Sequence, residues 1–157
     1  MTKGQAEALV PMIEAALGNR PKSDLNLIAV GIGPGNFTGT RIAVATARGL
    51  ALSLGIPAIP VSNFELLFAP DAAPEARHTR RLPAPRETIF EQEFEGLTPL
   101  SPPRQIESNE TPDTPLNIPR RLIEYGAIKP VGTRPAPLYV RPADAALPSA
   151  PPVQILS

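Results

Sequence analysis

The residues best suited to chemistry in this 157-residue chain lie in one glycine-rich run, Gly33-Pro34-Gly35-Asn36-Phe37-Thr38-Gly39. Such runs hold phosphates when backbone amides at the start of a helix converge on an anion. A Walker A loop ends in Gly-Lys-Ser/Thr, so that a lysine reaches the phosphates. Here the run continues Thr40-Arg41, and no lysine stands between Lys22 and Lys129. The dinucleotide fingerprint fails too. Gly31 and Gly33 supply its first two glycines, but Asn36 occupies the place of the third. An anion held by amides around Gly33, Gly35, Asn36, Thr38 and Gly39 stays open. So does a turn without ligand, with Thr38 or Thr40 capping the next helix and Phe37 folded onto the core.

Little else in the chain can bond a metal or attack a substrate. It has no cysteine, which removes disulfides and thiolate sites, and His78 is its only histidine. One histidine in an arginine-rich stretch is poor material for a Ser-His-Asp set. The formal net charge is zero, so the total shows no basic surface suited to nucleic acid. Met12 to Leu17 is too short to span a membrane, and Ile42 to Leu54 is interrupted by Arg48. A cytoplasmic protein with no membrane contact is the expectation.

The elements that hold the glycine turn are plain. Leu27 to Ile32 is a short β-branched apolar run, and Ala58 to Val61 is another. Between turn and second run lies a helical stretch, stopped by Gly55 and Pro57. Strand, turn, helix, strand is a βαβ unit with a parallel pair and a right-handed crossover. Its helix has only two charges, Arg41 and Arg48, seven residues apart and so on one stripe. Val44, Ala47, Leu50, Ala51 and Leu54 make one apolar side. Ala45, Thr46, Gly49 and Ser53, with Ile42, make a second side of mostly small residues. Gly49 costs a helix interior about 1 kcal/mol against alanine, which a close packing contact would explain.

A helix over Gln5 to Leu17, stopped by Gly18-Asn19 and Pro21 and bent at Pro11, shows the same excess of apolar surface. Val10, Ile13 and Leu17 form one face, while Leu9, Met12, Ala8, Ala15 and Ala16 form another. Either the two helices cover each other within the monomer, or their second faces await a partner.

Ser62 to Phe68 reads as a short helix, with Ser62 and Glu65 as a capping box. All but five of the 22 prolines lie beyond residue 69. Ala69 to Ala84 reads as a solvated connector carrying Arg77, His78, Arg80 and Arg81, with His78 exposed. Thr88 to Glu95 alternates like a strand. Leu97 to Pro119 reads as irregular, Ile118 to Tyr125 as a short helix, and the tail from Val131 as extended.

The stretch GPGNFTGTRIAVATARGLALSLGIPAIPVSNFELL, Gly33 to Leu67, resembles the signature region of the TsaB (YeaZ) family nearly residue for residue. Gln5 to Leu17 is similar to that family's first helix, Arg86 to Phe90 to its Arg-Gly-Glu-Val-Tyr strand, and Pro137 to Ala143 to its C-terminal Pro-x-Tyr-Leu-Arg-Pro. The resemblance implies an α/β fold of the actin-like ATPase (ribonuclease H-like) type. A first lobe would occupy residues 1–69, and a reduced, proline-rich second lobe residues 70–157. It implies a non-catalytic subunit of tRNA N6-threonylcarbamoyladenosine modification that binds the catalytic subunit TsaD through the two helices. Carried over, the interface falls on Leu9, Met12, Ala16, Arg41, Ala45, Arg48 and Gly49. A homodimer through the same helices, a TsaE-like ATPase reached through the complex, and tRNA met indirectly belong to the same picture. No metal or cofactor of its own is implied, although a nucleotide at the TsaD interface is compatible with it. The catalytic relatives bind metal through a histidine pair on the first helix, and Gln5 to Leu17 has no histidine. The chain departs from the family in starting almost at the first helix, without an opening β-hairpin, and in lacking most second-lobe helices. A nucleotide-binding enzyme using the glycine turn, and a non-functional truncated remnant, are the alternatives.

Overall fold

The computed structural model describes residues 4–68, 76–114 and 117–140. Two sheets organise it. The first is a parallel pair, β1 (Ile28–Gly31) and β2 (Ala58–Val61), joined by α2 (Phe37–Leu54). The second is antiparallel. It pairs β3 (Arg77–Pro83) with β4 (Thr88–Glu95), and β4 in turn with β5 (Thr98–Pro99) and β6 (Arg104–Glu107). Helix α1 (Gln5–Leu17) lies beside α2, and α3 (Ile118–Ile128) packs on β1 and β2.

The βαβ expectation holds, and α2 covers its sheet with Val44, Ala47 and Ala51. Val44 and Ala47 enclose Val30 of β1. On the other side, Tyr125 of α3 joins Val61, Leu66 and Phe68 in a second cluster. Close approach of α3 depends on Gly126. A Cβ there would stand 2.9 Å from Ala29 Cβ and 3.1 Å from Leu27 Cδ1, inside normal contact. The sequence ended this helix at Tyr125. It runs three residues further because a glycine pressed against a strand is a packing device here, not a stop. Helix α3, far along the chain, thus covers the first sheet.

Helix α1 has the expected bounds and runs through Pro11. Its inner stripe is Leu9, Ile13 and Leu17, all half-buried, whereas Val10 is exposed. Periodicity groups Val10 with Ile13 and Leu17, and Leu9 with the other face; the structure puts Leu9 in place of Val10. No residue of α1 is fully buried. Between α1, α2 and β1 lies an apolar groove of about 520 Å³, lined among others by Leu9, Ile13, Leu17, Leu27 and Leu50.

The arginine-rich stretch is a strand and not a solvated connector. Residues Arg77 to Pro83 pair with Glu95 to Ile89, which sets basic side chains opposite acidic ones. Arg81 meets Glu91 at 2.9 Å and Glu110 at 2.7 Å, and Arg80 lies 3.7 Å from Asp113. His78 is half-buried, against the rings of Phe68 (4.9 Å) and Phe94 (5.9 Å). Likewise, Leu97 to Pro119 contains β5 and β6. Prolines at 99, 102 and 103 obscured two strands that need only a few ladder bonds each.

Glu91 sits at the centre of this sheet, 5% exposed, between Arg104 (2.7 Å) and Arg81. The hydrogen bond from Arg104, followed by that from Arg81, holds its carboxyl below the ordinary 4.5, against the opposing effect of burial. A depressed folded-state pKa contributes stability that is full above the unfolded value and lost as pH falls through the folded one. Chemical denaturation at pH 7 and pH 3 is expected to show Glu91→Gln less stable at pH 7 by about 2 kcal/mol, the more exposed Arg104 limiting the cost. The gap to the parent should narrow toward pH 3.

Candidate functional site

The glycine turn is held from two sides. The amide of Asn63 donates to the Gly33 carbonyl (2.7 Å), and the Asn63 side chain donates to the Pro34 carbonyl (2.8 Å). From the far end of the chain, the Leu138 amide donates to the Ile32 carbonyl (2.8 Å). A Cβ at Gly33 would stand 3.4 Å from the Leu138 carbonyl oxygen, and Gly33 has φ 95°. Gly33 and Pro34 are therefore buried, while Gly35, Asn36 and Thr38 are exposed. The cap of α2 is Asn36, whose side chain accepts from the Gly39 amide at 2.8 Å. That corrects the expectation of Thr38 or Thr40. The asparagine that spoils a dinucleotide fingerprint carries a cap signal in its position ahead of a helix.

Phe37 does not fold onto the core. It is 42% exposed, and the Arg41 guanidinium lies over its ring at 3.7 Å. Arg41 Nε donates to the Tyr139 hydroxyl at 2.7 Å, and the rings of Tyr139 and Phe37 are 5.2 Å apart. Arg141, in the same resembling segment, lies outside the described residues.

Of the residues expected at a partner surface, Met12, Ala16, Arg41, Ala45 and Gly49 are exposed. Leu9 and Arg48 are half-buried, and Leu9 lines the groove. Leu52 continues the outer stripe of α2 and is 77% exposed, a residue the sequence reading passed over. Its spacing from Ala45 was the available signal. Gly49 was expected to sit in a close contact. Around the position of its missing Cβ there is open space. The face of α2 bearing Ala45, Gly49 and Leu52 is thus small, apolar and open.

Among the described residues, no three His, Cys, Asp or Glu side chains cluster so as to hold a metal ion. No described helix is long and apolar enough to cross a membrane.

Comparisons with known proteins agree with this geometry. Residues 2–83, just over half of the chain, match the family described as TsaD: tRNA N6-adenosine threonylcarbamoyltransferase. The tRNA threonylcarbamoyladenosine biosynthesis protein TsaB of Escherichia coli strain K12 is 43% identical over 59 residues, 36% of this chain and 26% of that protein. Its namesake from Buchnera aphidicola of Schizaphis graminum is 43% identical over 61 residues, 38% of this chain and 29% of that protein. The solved YeaZ of Pseudomonas aeruginosa superposes with a TM-score of 0.53 at 25% identity, over 71% of this chain and 56% of that one. A second solved structure, an uncharacterized protein described by its similarity to the peptidase YEAZ from Pseudomonas aeruginosa, gives 0.52 at 26% over 68% and 53%. The chain spans under a third of the length of these curated relatives and just over half of the solved ones. With the strand, glycine turn and both outer helices inside the matched region, this chain belongs to the TsaD family, alongside the TsaB (YeaZ) proteins.

Proposed function

We propose that this chain is a non-catalytic subunit of tRNA N6-threonylcarbamoyladenosine synthesis, built on an actin-like lobe. It binds a TsaD-like catalytic subunit through the outer faces of α1 and α2. The open space over Gly49, flanked along α2 by exposed Ala45 and Leu52, carries the reading. A glycine inside a helix with nothing against it costs stability and gains nothing within the monomer. A partner helix seated there recovers that cost through close backbone approach. Catalysis, with any metal or nucleotide, belongs to the partner. Curated relatives named for threonylcarbamoyladenosine biosynthesis support the same role.

The nucleotide-binding alternative is weakened by the turn itself. Two of the amides at the start of α2 are already spent, that of Gly39 on the Asn36 side chain and that of Thr40 on the Asn36 carbonyl, and Leu138 packs against Gly33.

Size-exclusion chromatography with light scattering, on the chain alone and mixed with the cognate TsaD-like subunit, tests the proposal. A one-to-one complex is expected with the parent chain. Gly49→Arg should abolish it, lowering affinity by about a hundredfold or more, since a bulky cation at a packed helix crossing costs several kcal/mol. A folded chain that stays monomeric beside its partner overturns the reading.

A further inference from the structure

We infer that Phe37, Arg41 and Tyr139 form a preorganised docking point for a carboxylate on the partner subunit, an inference that rests on the interface proposed above. Arg41 lies one helical turn before Ala45, so the cluster continues the open face of α2 toward the glycine turn. Its guanidinium is fixed in three ways. The Phe37 ring lies beneath it at 3.7 Å, its Nε is bonded to the Tyr139 hydroxyl, and the Tyr139 ring stands 5.4 Å from its carbon. Among the described residues, its two terminal nitrogens have no acceptor and it has no ion pair. Such a group is a flat cation with its fork free, and the fork geometry matches a carboxylate.

Both rings are 42% exposed, so the aromatic pair is left half open around a charge. Arginine and tyrosine are the residues that carry binding energy at interface centres, and side chains already held in place lose little freedom on binding. Charge points the same way. The stripe holding Arg41 and Arg48 is cationic, and an acidic partner surface complements it. The cluster also joins residues 98 positions apart. The surface is complete only when the segment around Tyr139 is seated on the glycine turn.

The contrary view is that the three residues only fasten the C-terminal segment. Calorimetric titration against the cognate TsaD-like subunit at low and moderate salt, paired with thermal melting of the chain alone, separates the two. Arg41→Lys keeps the charge but loses the fork and the stacking. It is expected to weaken binding about tenfold while keeping the salt dependence, whereas Arg41→Gln, which removes the charge, should weaken it further and flatten that dependence, with the melting temperature of the free chain unchanged. Tyr139→Phe, which frees Nε while keeping the ring, should fall between parent and Arg41→Lys. If Arg41→Lys lowers the melting temperature, Tyr139→Phe and Phe37→Leu decide the matter by the same two readings. Parent-like affinity in these variants, beside a Gly49→Arg variant that no longer binds, overturns the docking point and leaves the interface standing. No complex with the parent chain overturns both.

Discussion

Phe64→Ala is expected to destabilise the chain by about 3–5 kcal/mol, the range for removing a fully buried aromatic ring. For a protein of this length, that lowers the melting temperature by roughly 10 °C. Phe64 is completely buried, yet it sits just past the end of β2 in the parallel sheet. Its ring packs on Leu82, Phe90 and Phe94 of the antiparallel sheet, 6.1 Å from Phe94 between centroids. One side chain therefore fastens the two sheets to each other. Thermal melting measures the total loss. Hydrogen exchange at β4 amides should show protection falling more there than in α2. Equal loss in both would mean that the sheets unfold as one unit whatever the junction.

Glu65→Ala has the second largest expected effect, about 2–4 kcal/mol, from losing a cap and a charge-assisted bond together. One carboxylate oxygen accepts the Ser62 amide at 2.6 Å, and the Ser62 hydroxyl accepts the Glu65 amide at 3.2 Å. The other oxygen accepts from Lys129 at 2.7 Å, and Lys129 also donates to the Pro60 carbonyl at 2.8 Å. The same side chain starts the turn after β2 and holds the end of α3 to that strand. Glu65→Gln keeps the cap and loses the ion pair, so the difference between the two variants in urea denaturation apportions the loss. A double cycle with Lys129→Met checks the division, with a coupling near zero arguing against the pair.

Local signals carried the first half of the chain almost completely. The capping box at Ser62 and Glu65, the parallel pair, the bounds of α1 and the inner face of α2 each follow from residues close in sequence. What stayed hidden was long-range. The arginines of β3 look like a solvated run until the acids of β4 are placed across from them. Gly126 looks like a stop until Ala29 arrives beneath it. Phe37 looks like a core residue until Arg41 and Tyr139 hold it at the surface. Of the residues carried over to a partner surface, Ala45 and Gly49 are exposed and Leu9 is half-buried, while Val10, grouped by periodicity with Ile13 and Leu17, is exposed. A wheel cannot say which of two apolar stripes meets the sheet when both are nearly alike.

The two borders of the parallel sheet are unequal, and this limits how copies of the chain can join. Ile28 and Ile32 turn their amides to β2, so by alternation the peptide groups of Ala29 and Gly31 face the opposite side. There, among the described residues, no strand meets them. At the other border Pro60 has no N–H to offer, and its carbonyl is taken by Lys129. Strand addition is therefore hindered at β2 and not at β1. A further strand would find a full row of peptide groups at β1 and a gap in the row at β2, so the two borders invite addition unequally.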